Sequence, residues 1–261
     1  MQHKLRIGVA TIGNEVVKGR TLDTNFNYIA EFFTRKGKIV EFHVSCRDDA
    51  ESIGKTIDFL KENCDVIITT GGLGPTMDDI TIQSIAEHLG KKLIMNKEAE
   101  SELRLKYAGL KLEFTPERMK MAQFPEGAEL IQNHVGSAPG MILKVGNNTI
   151  FSLPGVPSEM KGMLDEVHKR LGLEDGSYMS REFKIEGVME SSLAPIVRAV
   201  YEKLNNDIYI KTHPLSSHDH VPQLSLEIYG YDQDKDALER RITETYKELR
   251  QNIKIIFNKD I

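Results

Sequence analysis

The segment 69–81 holds three glycines within four positions, and it leads from a β-branched strand pattern into a helical pattern. Glycines at this density let the backbone turn tightly and approach a ligand closely. The helix that we expect next would direct unpaired N–H groups and a partial positive charge at the loop. No Gly-Lys-Ser/Thr follows, so this is not a Walker loop, and it is not Gly-x-Gly-x-x-Gly. The segment predicts a seat for a phosphate or another oxyanion, formed by Gly71, Gly72, Leu73, Gly74 and Thr76.

Two carboxylates, Asp78 and Asp79, follow the glycines and would repel a phosphate bound beside them. We expect one of them to cap the helix that follows. A divalent cation that bridges carboxylate and phosphate would remove the repulsion, as Mg²⁺ commonly does with few protein ligands. Alternatively, one carboxylate accepts a hydrogen bond from an uncharged donor group of the ligand. The residues alone leave both interpretations open.

Acidic residues also follow the two preceding strand patterns. Glu15 comes after the first, and Asp48 and Asp49 come after the second. We expect one of these two aspartates to be a helix N-cap, since a helical pattern begins there. The carboxyl ends of parallel strands meet at one edge of an open sheet, where ligands bind. The sequence therefore predicts that acids from three strands face one crevice.

Two further loops are candidates for closing this crevice. The segment 133–140 is rich in small residues, and the segment 153–159 passes from a strand through Gly155 into a helix with Pro157 in its first turn. Glycine and proline punctuate any loop, so both segments could be simple turns. We favour the second as a site element, because it repeats the strand–glycine–helix order of the glycine-rich segment.

The elements that must position these loops follow from hydrophobic periodicity. Strand patterns at 5–11, 39–44 and 66–70 alternate with helical stripes at 26–33, 53–60 and 82–89. This alternation predicts an α/β fold with a mostly parallel sheet wrapped by helices. A hairpin over 141–153 and a helix over 160–171 complete the first predicted domain, residues 1–172.

A different pattern of strands and helices begins after a predicted linker over 172–177. Strands and helices follow in the order β-α-β-β-α, which predicts a small α+β domain over residues 178–261. Three histidines, His213, His218 and His220, lie between two of its strands. They could bind a metal, but their loose spacing favours a solvated loop.

The amino-acid composition limits the classes of protein to which this chain can belong. The chain has 261 residues and a formal net charge of −5, with 40% hydrophobic and 28% charged residues, as in a soluble globular protein. No apolar run approaches the roughly 18 residues of a membrane helix, and we see no signal peptide. Two cysteines form no disulfide framework, which favours a reducing, cytoplasmic location. The acidic balance disfavours nucleic acid, so we expect neither nucleic-acid nor membrane partners.

The motifs resemble the N-terminal domain of the CinA (competence/damage-inducible) family, in the molybdopterin-binding-like superfamily of MoaB and MogA. The resemblance covers about residues 4–171. The segments that carry it are, in chain order, Gly13-Asn14-Glu15, Gly19-Arg20, Asp23-Thr24-Asn25, Thr70 through Thr81, Asn133 through Gly140, and Leu153 through Pro157. Residues 178–255 resemble more weakly the KH-type domain that follows in CinA proteins. A KH domain that binds RNA uses a Gly-x-x-Gly loop, which this region lacks.

The resemblance implies a three-layer α-β-α domain, a small KH-like domain and self-association as a homodimer or higher homo-oligomer. It further implies a nucleotide or pterin ligand whose phosphate lies at residues 71–76. For this branch it implies a metal-dependent ADP-ribose pyrophosphatase that forms AMP and ribose 5-phosphate. The acids that act in the MogA-like relatives match Asp48 and Asp79. No deamidase domain of full-length CinA is matched, so we expect no deamidase activity.

The expected roles are as follows. Asp48 or Asp79 is the general base. Substrate contacts come from the glycine-rich segment together with Asn25, Gly155 and Pro157. The cofactor is a divalent metal, Mg²⁺ or Co²⁺, with a monovalent cation as a further candidate, and the metal ligands are drawn from Glu15, Asp48, Asp78 and Asp79.

One departure from the family pattern separates the alternatives. The family usually reads Gly-Asp-Glu where this chain has Gly13-Asn14-Glu15, so Asn14 keeps an oxygen but loses a charge. A binding protein for molybdopterin that does not hydrolyse its ligand is therefore a second hypothesis. A regulatory dimer that senses a nucleotide is a third.

Overall fold

The structure, a computed structural model, describes residues 5–204, 208–215 and 221–258. The chain divides into two compact units. The first comprises Met1–Phe33 and Ile39–Leu173, and the second comprises Thr34–Lys38 and Glu174–Ile261. In the described part of the chain, no helix combines the length and the apolar character needed to cross a membrane.

The first unit is built on a six-stranded sheet with the strand order β2-β1-β3-β8-β7-β6. All neighbouring pairs from β2 to β8 are parallel, whereas β7 runs antiparallel to both β8 and β6. The strands are β1 (Ile7–Ile12), β2 (Val40–Cys46), β3 (Val66–Thr70), β6 (Glu129–Ile131), β7 (Gly140–Val145) and β8 (Asn148–Leu153), with a separate two-stranded sheet of β4 (Leu93–Met95) and β5 (Gln123–Pro125).

Helices cover both faces of this sheet, as the continuous apolar strands require. The helices of the unit are α1 (Asn14–Val17), α2 (Thr24–Arg35), α3 (Ala50–Asn63), α4 (Thr81–His88), α5 (Lys97–Gly109), α6 (Pro116–Lys120) and α7 (Pro157–Leu171). Ile7 and Val9 of β1 pack with α2 and α7, whereas Ala10 and Ile12 pack with α3, α4 and α5. This alternation along one strand confirms the predicted three-layer fold.

The second unit contains β9 (Ser177–Glu186), α8 (Glu190–Tyr201), β10 (Ile208–Leu215), β11 (Gln223–Asp232) and α9 (Lys235–Phe257). The strands form an antiparallel sheet in the order β10-β11-β9, and the two helices share one core with its buried residues. The predicted order β-α-β-β-α is confirmed. One expectation is wrong, because His213 lies within β10, 3.6 Å from Glu227, rather than in a loop. His218 and His220 lie outside the described residues.

Candidate functional site

A cavity of about 260 Å³ opens where the strands of the first unit end. Thr11 and Ile12 at the end of β1 and Thr70 at the end of β3 line it, so it lies at the carboxyl edge of the sheet. This is where open parallel sheets bind ligands. Nine of the residues predicted for the site also line it, namely Glu15, Asn25, Asp48, Gly71, Gly72, Asp78, Asp79, Gly155 and Pro157.

Three predicted residues lie apart from this cavity. Leu73 and Gly74 line a smaller neighbouring cavity of about 30 Å³, to which Gly72 and Asp79 also contribute. As the described residues define them, Thr76 lines neither cavity. It instead interacts with the two carboxylates that follow it, so its expected contact with the ligand stays a prediction.

The glycine-rich loop turns in a way that only glycine allows. Gly71 has a φ of 110°, and a Cβ there would lie 2.1 Å from the carbonyl oxygen of Ile12. Its own N–H donates to the carbonyl of Leu153 at 3.1 Å, and the Thr81 hydroxyl donates to its carbonyl at 2.9 Å. The loop is thereby fastened to β8 and to the start of α4, next to the end of β1.

Part of the expected oxyanion seat is occupied by the protein itself. The carboxylate of Asp79 accepts a hydrogen bond from the backbone N–H of Thr76 at 2.9 Å and lies against Gly74. The amides of Gly72, Leu73 and Gly74, by contrast, donate to no acceptor among the described residues. Within the expected seat over residues 71–76, the N–H groups of Gly71 and Thr76 are thus already bonded within the chain, and those of residues 72–74 are left for the predicted oxyanion.

The expectation that Asp78 or Asp79 caps a helix is wrong. Helix α4 begins only at Thr81, and its N-cap residue, Ile80, makes no side-chain cap. The Thr76 hydroxyl instead lies within hydrogen-bond distance of both carboxylates, which share its single proton. That hydroxyl lowers the pKa of Asp78 below its ordinary value. Neither carboxylate therefore caps the first turn of the helix.

The other pair of aspartates divides its roles as expected. Asp49 is the N-cap of α3, and its carboxylate accepts from the Ser52 N–H at 2.8 Å. Asp48 lines the cavity, where its Oδ2 accepts from the N–H of Asn14 at 3.2 Å. Its Oδ1 is buried and has no hydrogen-bond partner within the described residues.

Burial also sets the electrostatics of Asp48. Loss of water raises the pKa of its carboxyl above the ordinary value, against the opposing effect of the Asn14 N–H. Repulsion from the neighbouring carboxylates of Glu15, Asp78 and Asp79 raises that pKa further. Asp48 is therefore an acceptor whose charge is poorly compensated by the protein.

The departure at Asn14 affects the site less than the sequence alone suggests. Its backbone N–H, which any residue but proline supplies, is the group that contacts Asp48. The residues that line the cavity on either side are Gly13 and Glu15, and Asn14 is absent from the described lining. The substitution thus leaves the carboxylates of the cavity unchanged.

The four acids predicted as metal ligands share this cavity. Within the described residues, however, no group of three or more histidines, cysteines, aspartates and glutamates lies close enough together to hold a metal ion. The buried free oxygen of Asp48 fits a cation or a hydrogen-bond donor. Mg²⁺ is commonly held by one or two carboxylates together with substrate phosphates, so this donor set fits a cation that the ligand helps to bind.

At another part of the wall, Asn25 connects α2 with two strand ends. Its Nδ2 donates to Thr70 Oγ1 at 2.9 Å and to the carbonyl of Gly155 at 2.8 Å. The residue is 7% exposed. These bonds bring together segments that are far apart in sequence, and they place both Asn25 and Gly155 in the lining as expected.

The sequence interpretation missed an acid–base pair beside the cavity. His43 of β2 lies 3.0 Å from Asp23 and 3.1 Å from the Thr11 hydroxyl, and its ring stacks on Phe26. Both contacts involve the same ring nitrogen, Nε2, so this is not the relay of a nucleophilic triad, which uses both nitrogens. Burial raises the pKa of Asp23, but hydrogen bonds from His43, Thr11 and Phe26 N–H hold it below its ordinary value. The sequence feature that could have indicated this pair is Thr11, a polar residue in an otherwise apolar strand.

The loop 133–140 does not line the main cavity in the part of the chain that is described. Asn133 is fully buried and ties the loop together, because its Oδ1 accepts from the N–H groups of Val135 and Gly136. Its Nδ2 donates to Ala138 and to Glu159 of α7. The expectation that this loop closes the crevice is replaced by a structural role.

Fold and site together define an α/β protein with a cavity at the carboxyl edge of a mainly parallel sheet. Residues 8–172 match the sequence profile of the MoCF_biosynth family, described as "Probable molybdopterin binding domain". The chain belongs to this family.

Similar proteins agree with this assignment. The chain is 37% identical to Protein TV0584 of Thermoplasma volcanium over 93% of both chains. It is 38% identical to a protein of Metallosphaera sedula, covering 95% of this chain and 92% of the relative. The crystal structure of CinA from Thermoplasma acidophilum, a protein described there as having unknown function, is similar with a TM-score of 0.60 and 38% identity. That similarity covers 64% of this chain and 97% of the other.

Proposed function

We propose that this protein is a metal-dependent pyrophosphatase that hydrolyses ADP-ribose to AMP and ribose 5-phosphate. The observation that carries the proposal is the free, buried Oδ1 of Asp48 in the same cavity as the free N–H of Gly72. A phosphate needs hydrogen-bond donors, and the water that attacks it needs an acceptor. The cavity supplies both kinds of group.

Each group has a defined task in this reaction. The amide of Gly72, which lines the cavity, donates to a phosphate oxygen and stabilises the charge that develops there. The oxygen of a water molecule bonds to a phosphorus while the bond from that phosphorus to the bridging oxygen breaks. Asp48 accepts the proton of the water through Oδ1. This oxygen has no other hydrogen-bond partner within the described residues.

A divalent metal supplies charge neutralisation and polarises the phosphate oxygens when it is bound. We propose that Asp48 and Asp79 hold it, with Glu15 and Asp78 next to them, since all four line the cavity. A cavity of about 260 Å³ lies slightly below the roughly 300–1,000 Å³ of typical small-molecule sites. We therefore expect it to enclose the phosphates and one sugar, with the rest of the ligand in solvent.

The test is direct hydrolysis of ADP-ribose by the purified protein, with Mg²⁺ or Co²⁺ and with a chelator in parallel. We expect AMP and ribose 5-phosphate in equal amounts, metal dependence, and loss of turnover in Asp48→Asn. Asp49→Asn is the matched control, because asparagine also caps helices and should keep wild-type turnover. No AMP from folded wild-type protein under both metals would contradict the proposal.

The second candidate is binding of a molybdopterin without hydrolysis, which the description of the matched family favours. It predicts pterin fluorescence that copurifies with the protein and is released on unfolding. A third measurement tests for a nucleotide sensor. In that case ADP-ribose would raise the melting temperature of the protein, but no product would form. Light scattering in the same samples tests the homodimer or larger oligomer that we propose for the protein in the cytoplasm.

A further inference from the structure

The amide group of Asn25 has only one possible orientation. Its Nδ2 faces two oxygens, Thr70 Oγ1 and the carbonyl oxygen of Gly155. A carbonyl can only accept, and the Thr70 hydroxyl already donates its proton to the carbonyl of Pro154 at 2.9 Å. A flipped amide would place Oδ1 against two acceptors. The hydrogen-bond network therefore assigns Oδ1 and Nδ2 without ambiguity.

This orientation leaves Oδ1 of Asn25 as a buried acceptor with no donor within the described residues. Buried polar atoms of this kind are rare in folded proteins, because they lose their hydrogen bonds to water and gain none. Asn25 lines the cavity, and its side chain is held by bonds to two strand ends. The missing donor is therefore best supplied by a bound ligand.

A neutral amide selects a different partner from a carboxylate. Asp48, which also has a free buried oxygen, fits a cation or a reacting water, whereas Asn25 fits an uncharged O–H or N–H donor. The two acceptors also belong to different places. Asp48 follows β2, Asn25 contacts the end of β3, and β1 lies between these strands. The Asp48 carboxylate contacts the loop after β1 and the Asn25 amide contacts the end of β3, so the two acceptors are held by different strand ends.

We propose that Asn25 Oδ1 accepts a hydrogen bond from a sugar hydroxyl of the ligand, and that it selects ribose over deoxyribose phosphates. This inference rests on the proposed function, because a nucleoside diphosphate sugar carries hydroxyls on both sides of its phosphates. The amino group of a nucleobase offers the same donor chemistry and is distinguished by the experiment. Thr70 is a positioning residue, since its hydroxyl orients the amide of Asn25.

The experiment measures dissociation constants by calorimetry, with no turnover required. The probes are AMP, 2′-deoxy-AMP, 3′-deoxy-AMP and IMP, together with ribose 5-phosphate and 2-deoxyribose 5-phosphate. They are titrated into wild-type protein, into Asn25→Ala, and into Thr70→Ser, which keeps the hydroxyl. Circular dichroism and melting curves establish that each variant is folded. If Asn25→Ala does not fold, the wild-type comparison of hydroxyl and deoxy probes decides by itself.

We expect removal of one sugar hydroxyl to weaken binding to wild-type protein and to Thr70→Ser by about 10- to 100-fold, since it leaves a buried acceptor unpaired. The same removal should change binding to Asn25→Ala by less than about threefold. An equal loss in wild type and Asn25→Ala, or no loss in wild type, overturns the assignment. A loss with IMP alone also overturns it, because the donor is then the base amino group.

The outcomes separate this inference from the pyrophosphatase proposal. Hydroxyl-dependent binding through Asn25 without hydrolysis contradicts the enzyme and supports the subsite. Hydrolysis without dependence on Asn25 does the reverse. If no probe binds to wild-type protein, the subsite assignment is wrong, and the hydrolysis assay decides the pyrophosphatase proposal separately.

Discussion

The carboxylate of Asp79 accepts a hydrogen bond from the backbone N–H of Thr76, so one end of the glycine-rich loop is closed by an anion of its own chain. Lys120 reinforces this end by donating to the Thr76 carbonyl at 2.7 Å. The N–H groups of residues 72–74 have no acceptor within the described residues. Asp79 thus both holds one end of the glycine-rich loop and lines the cavity.

Replacement of Asp79 by Asn should abolish hydrolysis, by at least about 100-fold in kcat, without unfolding the protein. An asparagine can keep the bond to the Thr76 N–H but loses the charge that a metal or a general base needs. The measurement is turnover together with a melting curve. Asp165→Asn, an exposed acid on α7, is the control and should stay active. A fully active Asp79→Asn protein would refute the assigned role.

Replacement of Asp48 by Asn should remove activity and at the same time stabilise the protein. The Asp48 charge is partly desolvated and repelled by other carboxylates, so a neutral isostere relieves an unfavourable interaction. We expect the melting temperature at pH 7 to rise by about 1–3 °C. Differential scanning calorimetry checks this, and an unchanged or lowered melting temperature would count against the electrostatic account.

Gly71→Ala should be far more costly than Gly90→Ala, although both glycines have positive φ angles. At Gly90 a Cβ meets nothing within 4 Å, and the left-handed backbone alone costs about 1–2 kcal/mol. At Gly71 the Cβ would also collide with the carbonyl of Ile12. We expect a loss of about 3–5 kcal/mol in urea unfolding. Equal losses would show that the loop can move away from β1.

The pair of Asp23 and His43 should make stability depend on pH in a defined direction. The folded pKa of Asp23 is lowered, so the pair stabilises the protein above the unfolded pKa, and this contribution is lost as pH falls through the folded pKa. Asp23→Asn should thus cost about 1 kcal/mol at pH 6, and this cost should shrink as the pH falls through the folded pKa of Asp23.

A second pair provides the control for this titration. His88 and Asp58 lie 2.8 Å apart but are more exposed, so Asp58→Asn should cost less than about 0.5 kcal/mol at pH 6. Urea unfolding at pH 3 and pH 6 measures both variants. A cost for Asp23→Asn that persists unchanged at pH 3 would show that packing, and not charge, is responsible.

Both described cysteines should be unreactive in the folded protein. Burial raises the pKa of the Cys64 thiol to about 11, and it also raises the pKa of Cys46. Since only the thiolate reacts quickly, labelling with a thiol reagent at pH 8 should follow unfolding. Two equivalents should be modified in urea and fewer than 0.1 in buffer over the same time, by mass spectrometry. Rapid native labelling would contradict the burial.

The order of elements could be predicted well because it depends on local periodicity. The strands at 66–70 and 148–153 and the helices that follow them are recognisable from runs of apolar residues alone. The three-residue strands β4, β5 and β6 were missed, because so short a run has no measurable period. The convergence of Glu15, Asp48 and Asp79 on one cavity was also predictable, since parallel strands place their carboxyl ends together.

Adjacent residues of the same type were harder to assign. Asp48 and Asp49 could exchange roles in a sequence argument, and only the structure shows that Asp49 caps α3 while Asp48 enters the cavity. For Asp78 and Asp79 the capping prediction was wrong, because the chain turns back to Thr76 before α4 begins. The backbone of the loop decides in which direction each of two adjacent side chains points. Hydrophobic periodicity carries no information about the backbone of a loop.

The sequence by itself determined the layered α/β architecture, because apolar periodicity is a local property of the chain, and the order of its motifs indicated the family. The tertiary structure decided which atoms are free to act. Asn25 and Gly155 are 130 residues apart, and their hydrogen bond turns Oδ1 of Asn25 into an acceptor without a partner. Such assignments depend on donors and acceptors brought together by folding, and spacing along the chain carries no record of them.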